Sequence, residues 1–109
     1  MEQSKLDQVR TIHTQLYTMD KNLMWCLGSK NFVASTNSKD QPTLTFKVNG
    51  VKHKGYVSIS LDEGRDLYDI RIYSIRKVKN SPEYKETVKY EAISQFVEDL
   101  PGILEEYCY

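Results

Sequence analysis

Apolar residues fall at Leu6, Val9, Ile12, Leu16, Met19, Leu23 and Leu27, at intervals of three and four, and the positions between them are mostly polar. That spacing predicts a one-sided amphipathic helix over residues 3–27. Gly28 stands where a helix end turns left-handed, a conformation that costs glycine nothing. A break near Asp20-Lys21-Asn22 is the alternative, with the Leu23–Leu27 run leaving the helix.

Beyond Ser29 the period changes from 3.6 to two. Residues 30–36 predict a weak strand, and Asn37-Ser38-Lys39-Asp40-Gln41-Pro42 a turn. Thr43 to Val48 places Leu44, Phe46 and Val48 on one face. Asn49-Gly50 favours a hairpin, with a loop running to Gly55 because Lys52-His53-Lys54 suits a buried strand poorly. Tyr56 to Leu61 turns Val57, Ile59 and Leu61 inward. After the Asp62–Asp66 turn, Leu67 to Lys77 does the same with Tyr68, Ile70 and Ile72, and a phase slip before Ile75 predicts a bulge or the strand's end. Asn80-Ser81-Pro82-Glu83 predicts a turn and Glu86–Tyr90 a last strand. A helix from Ala92 to Tyr107 would carry Pro101 in its interior; one capped at Asp99 or Leu100 holds Pro101 in its first turn and avoids the clash. The fold class is therefore α+β: a long N-terminal helix, an antiparallel four- to five-stranded meander and a short C-terminal helix. Both helices cover one sheet face, making a two-layer sandwich in a single domain, 1–109.

Composition narrows the function. Fifteen Lys+Arg balance fifteen Asp+Glu over 109 residues, which argues against a generic nucleic-acid coat or membrane-surface binder. The start is polar, and the longest apolar run, Leu23–Leu27, is far too short to span a bilayer. The cytoplasm of a cell is the expected location. Cys26 and Cys108 sit in no metal or redox spacing and are expected to be reduced thiols, one buried and the other near the frayed C-terminus.

Chemistry-bearing patterns are sparse. Asp62, Glu63, Asp66 and Asp69 cluster carboxylates without an EF-hand spacing and read as a solvated turn, Asp66 and Asp69 being placed to accept backbone N–H groups. His13 and His53 are the only histidines, neither with a paired cysteine or acid. No phosphate loop, nucleophile elbow or zinc motif is present. No catalytic residue, metal ligand or cofactor is expected, and the chain is read as a non-enzyme.

Charge is nonetheless segregated. Residues 30–54 and 71–79 each carry an excess of four positive charges, whereas residues 98–106 hold four acids and no base. Eight tyrosines are more than one small core absorbs, and tyrosine is favoured at protein contacts. Tyr56, Tyr73 and Tyr84 are the expected partner-binding residues, with Tyr109 also exposed, Tyr68 in the core and Trp25 a core anchor between helix and sheet. The rival reading uses Lys47, Lys52, Lys54, Arg71 and Lys77 to hold nucleic acid on the polar sheet face.

Taken in order, Leu27-Gly28-Ser29-Lys30-Asn31-Phe32, Leu44–Val48, Val57–Leu61, Asp66-Leu67-Tyr68-Asp69-Ile70 and the closing Glu98-Asp99-Leu100 segment resemble small proteins of bacteriophages and other mobile elements. These carry similar L-G-A-K-N and D-x-Y-D segments. Ser29 stands where that family has Ala, and the turn around Ser38–Gln41 is longer. The resemblance covers about residues 23–107 and implies a phage, prophage or mobile-element origin in bacteria, which would make the expected location the cytoplasm of a bacterial host cell. It carries over no functional residue. The expected function is that of a small accessory protein binding a host or element-encoded protein, as a monomer or homodimer, and fits an inhibitor of host defence.

Overall fold

The computed structural model describes residues 3–37, 39–50, 52–62, 64 and 67–108. The elements follow the order α1 (Gln3–Cys26), β1 (Lys30–Thr36), β2 (Pro42–Asn49), β3 (Lys54–Asp62), β4 (Leu67–Lys77), β5 (Tyr84–Gln95), a 3₁₀ turn (Val97–Asp99) and α2 (Leu100–Tyr107). The strands form one antiparallel sheet in sequential order, and its apolar side packs under the helices: an α+β fold.

The alternation of the sequence becomes the core directly. Leu44 pairs with Ile59 and Ile59 with Ile70; Phe46 pairs with Val57 and Val57 with Ile72. All six are at most 2% exposed. Val9, Ile12 and Leu16 of α1 and Leu100 and Leu104 of α2 close over them, because burying about 25 cal/mol of hydrophobic free energy per Å² favours covering such a face. Tyr68 is buried, as expected, and its hydroxyl donates to Gln15 Oε1 at 3.2 Å.

α1 bends at Asp20, whose φ of −153° and ψ of 75° are not helical. The Asp20 carboxylate accepts the Leu23 N–H at 3.0 Å, so this residue caps the last turns as a fresh N-cap would. The bend resets the helical phase: Met19 is exposed, while Leu23, Met24 and Leu27 take the inner edge. At about 100° per residue, Trp25 lies roughly 200° from both Leu23 and Leu27. It therefore points away from the sheet and is 82% exposed, not the core anchor expected of it.

Gly28 ends the helix with φ of +59°. Asn31 also has positive φ, 58°, where the β1–β2 register shifts, a backbone that asparagine tolerates better than most residues. β5 is longer than the expected Glu86–Tyr90 because two register shifts hide its alternation. In each, β5 carries the extra residue, and at the second Ser94 adopts φ of 58° while its N–H donates to Asp69 Oδ1 at 3.1 Å. The slip anticipated near Ile72 is present, but the added residue belongs to β5.

The β2–β3 loop ends before Lys54, two residues sooner than expected, and grips the end of the chain. The Cys108 carbonyl accepts the N–H groups of Lys52 at 3.0 Å and His53 at 3.2 Å. A Cβ at Gly50 would sit 2.0 Å from that carbonyl oxygen, so glycine is required there. The cysteine expectation is thereby reversed: Cys108 is buried and Cys26 exposed, both free thiols. No helix among the described residues is long and apolar enough to cross a membrane.

Candidate functional site

The face of the sheet turned from the helices is laid out by strand register. Three ladders cross its centre: Thr43–Ser60–Asp69, Thr45–Ser58–Arg71 and Lys47–Tyr56–Tyr73. They extend to Glu91 and Val88 on β5 and to Ser35, Val33 and Lys30 on β1. Because alternate residues share a face, Lys54, Ile75 and Lys77 belong to the same side, as do Glu86 and Tyr84 through their pairing with Ile75 and Lys77.

The first two ladders are joined by hydroxyls. Thr43 Oγ1 and Ser60 Oγ lie 2.9 Å apart, and Thr45 Oγ1 and Ser58 Oγ 3.0 Å apart. Ser58 also reaches the Tyr73 hydroxyl at 3.2 Å. Thr43 and Ser60 are buried beneath a polar groove of about 530 Å³ that Asp69, Arg71 and Glu91 also line. In the third ladder the Tyr56 and Tyr73 rings stack with centroids 5.7 Å apart. The Arg71 guanidinium lies 5.0 Å from the Tyr73 centroid and is ion-paired with Glu86.

Both sequence-derived sets thus converge on one face. It holds Tyr56, Tyr73 and Tyr84 together with Lys47, Lys54, Arg71 and Lys77. Lys52 does not join them: its ammonium donates to the Glu106 carbonyl at 3.0 Å and so braces α2. Tyr84 is exposed, whereas Tyr56 and Tyr73 are half-buried in their stack. Tyr109, Glu63 and Asp66 lie outside the described residues. Asp69 does accept a backbone N–H, that of Ser94 across the sheet.

Four further side chains on this face were not singled out by sequence. Val33, Ile75, Val88 and Ile93 are exposed there, and with Tyr84 they make five of the nine large apolar side chains exposed among the described residues. Ile75 keeps the parity of Asp69, Arg71 and Tyr73, so carrying the strand straight through the phase slip was the signal for its place on this face.

The histidines serve the scaffold. His13 stands edge-on to Phe32, centroids 4.5 Å apart, and 4.8 Å from the Tyr17 centroid, beside an apolar groove of about 400 Å³ between α1 and β1. His53 Nε2 lies 3.2 Å from the Tyr73 carbonyl, and burial, aided by the Lys89 charge, lowers its pKa. Burial likewise pushes the Cys108 thiol up to about 11. No group of three potential metal ligands forms among the described residues.

Geometry and chemistry together define a two-layer α+β domain with one sheet face left open and enriched in tyrosine, aliphatic and cationic side chains. No protein-family model matches this chain, and neither does any curated protein or solved structure.

Proposed function

We propose that the chain is a non-enzymatic protein-binding domain that docks a macromolecular partner with the open face of its sheet. The observation that carries this reading is the gathering of Tyr56, Tyr73 and Tyr84 with Val33, Ile75, Val88 and Ile93 on the side no helix covers. Aromatic anchors amid aliphatic contacts, with a polar surround, are the composition of protein interfaces. The motif resemblance supports an accessory role in a bacteriophage or mobile element, where a partner in the host's defence fits a protein of this size.

Nucleic acid is the second reading, favoured by the presence of four of the five expected cations on the same face. Against it, Arg71 is neutralised by Glu86, Asp69 and Glu91 line the groove, and Lys52 is drawn to α2. The test is affinity capture from a bacterial host lysate with nuclease, comparing the wild type, a Tyr84→Ala/Val88→Asp variant and a Trp25→Ala variant. A protein retained by the wild type and by Trp25→Ala, but lost by the open-face variant, supports the proposal. Recovery that disappears with nuclease, and affinity that falls about a hundredfold between 50 and 200 mM salt as four phosphate contacts require, favours nucleic acid instead.

A further inference from the structure

Beyond the Tyr56–Tyr73 pair, β4 has no ladder partner in β3. Ser74, Ile75, Arg76 and Lys77 pair only with Thr87, Glu86, Lys85 and Tyr84 of β5, so the hairpin projects as a two-stranded ribbon. In the body of the sheet the helix side is apolar and the open side polar. In the ribbon this polarity inverts. Ser74, Arg76, Lys85 and Thr87 take the helix-side parity, while Ile75 and Tyr84 lie on the open side next to Val88. Ile75 is 46%, Tyr84 68% and Val88 41% exposed. A ribbon beyond the core gains nothing from its own fold by segregating apolar side chains onto one face, and an isolated hairpin is at best marginally stable.

The charges around this strip identify its complement. Lys77 stands opposite Tyr84, Lys47 opposite Tyr56, and Lys54 follows two positions before Tyr56 on the same side. Arg71 is balanced by Glu86, whereas none of the three lysines forms an ion pair with a described residue. A second copy of this chain would bring the same cationic excess to the contact, with Glu86 already taken by Arg71. A nucleic acid would find the Tyr73 ring already engaged by Tyr56 and Arg71.

Resting on the protein-binding reading above, we infer that the ribbon and the Tyr56–Tyr73 stack form the recognition site, and that it takes an acidic amphipathic segment of a partner protein. Apolar side chains of that segment would cover Ile75, Tyr84 and Val88, and its flanking carboxylates would meet Lys47, Lys54 and Lys77. Opposite charges around an apolar centre set both specificity and encounter rate.

The test is selection of a displayed random-peptide library on the 109-residue chain, followed by titration of the selected peptides by fluorescence anisotropy. Selected peptides are expected to carry Asp or Glu beside two or more large apolar residues. Ile75→Asp, Tyr84→Ala, and the charge reversal Lys47→Glu/Lys77→Glu are each expected to weaken them at least tenfold, and Trp25→Ala less than twofold. The three open-face variants alter ribbon or surface positions, and unchanged thermal unfolding confirms that each is folded. Peptides that depend on Tyr84 but lack acidic residues, or resist the charge reversal, overturn the partner chemistry and leave the protein-binding reading standing. An empty selection, peptides indifferent to every open-face variant, or displacement of bound peptide by an oligonucleotide or by unlabelled chain overturns both.

Discussion

The two faces of this sheet are built from alternate residues of the same strands, yet they are held by different physics. On the covered face Phe46, Ile59, Ile70 and Ile72 are fully buried and interlock with Ile12, Leu16, Leu100 and Leu104. That side is filled by volume. On the open face, Thr43 meets Ser60 and Thr45 meets Ser58 through directed hydroxyl contacts, and the apolar side chains beside them remain exposed. The first face determines whether the chain folds. The second contributes less to stability, and its exposed side chains are free to carry specificity. Substitutions at the two should therefore separate stability from binding.

The largest separation is expected between Phe46 and Tyr84. Phe46 is fully buried and stacks on Phe32 with centroids 5.2 Å apart. Phe46→Ala should cost about 3–5 kcal/mol in urea unfolding, the range for removing a buried ring. Tyr84→Ala should stay within about 0.5 kcal/mol, as exposed positions do. A comparable loss at both sites would mean that the ribbon packs against the core after all.

Next in size is the buried thiol under the helices. Cys108 is held protonated by burial, up to about 11. The unfolded chain loses that proton at lower pH, so between about pH 9 and 11 the folded state binds more protons and stability falls as pH rises. The expected loss is on the order of 2 kcal/mol, read from denaturant midpoints. Cys108→Ala should remove that part of the alkaline slope, and Cys26→Ala should not. In native protein at neutral pH a thiol reagent should modify Cys26 alone.

Gly50→Ala tests how that end is clasped. The added methyl would meet the Cys108 carbonyl, and relief requires the loop and the chain end to part. A cost of about 1–3 kcal/mol is expected, accompanied by loss of Cys108 protection from thiol reagents. Unchanged protection would show that the Lys52 and His53 contacts to Cys108 are not what holds the chain end.

Much of this fold is legible in the sequence because its central strands alternate: Thr43–Val48 and Leu67–Ile72 give their faces directly. What was hidden lies at backbone irregularities. One non-helical residue, Asp20, follows Met19, the stripe residue left exposed, while Trp25 faces solvent because it sits two positions from both Leu23 and Leu27. Two added residues in β5 broke the alternation through which Tyr90 and Ala92 reach the core side while Val88 and Ile93 do not. The candidate site was half legible. Parity within each strand placed Lys47, Tyr56, Arg71 and Tyr73 on the polar face, but the β4–β5 register was needed to bring Tyr84 and Val88 to it. The burial of Cys108 depends on contacts between residues more than fifty positions apart, which no local pattern encodes.

The smallest effect is also the sharpest test of the open face. Thr43 Oγ1 donates to the Gln41 carbonyl at 3.1 Å and lies 2.9 Å from Ser60 Oγ. With the Thr43 proton committed to that carbonyl, Ser60 must be the donor within the pair. Both residues are buried, so removing either hydroxyl leaves its partner short of a bond that water replaces poorly. Thr43→Val and Ser60→Ala should therefore each cost about 1 kcal/mol, while the double variant costs less than the sum of the two. The expected coupling is about 0.5–1 kcal/mol in a double-mutant cycle. Full additivity would mean that water satisfies each hydroxyl separately, and the open face would then be a solvated surface instead of a second, hydrogen-bonded layer of the fold.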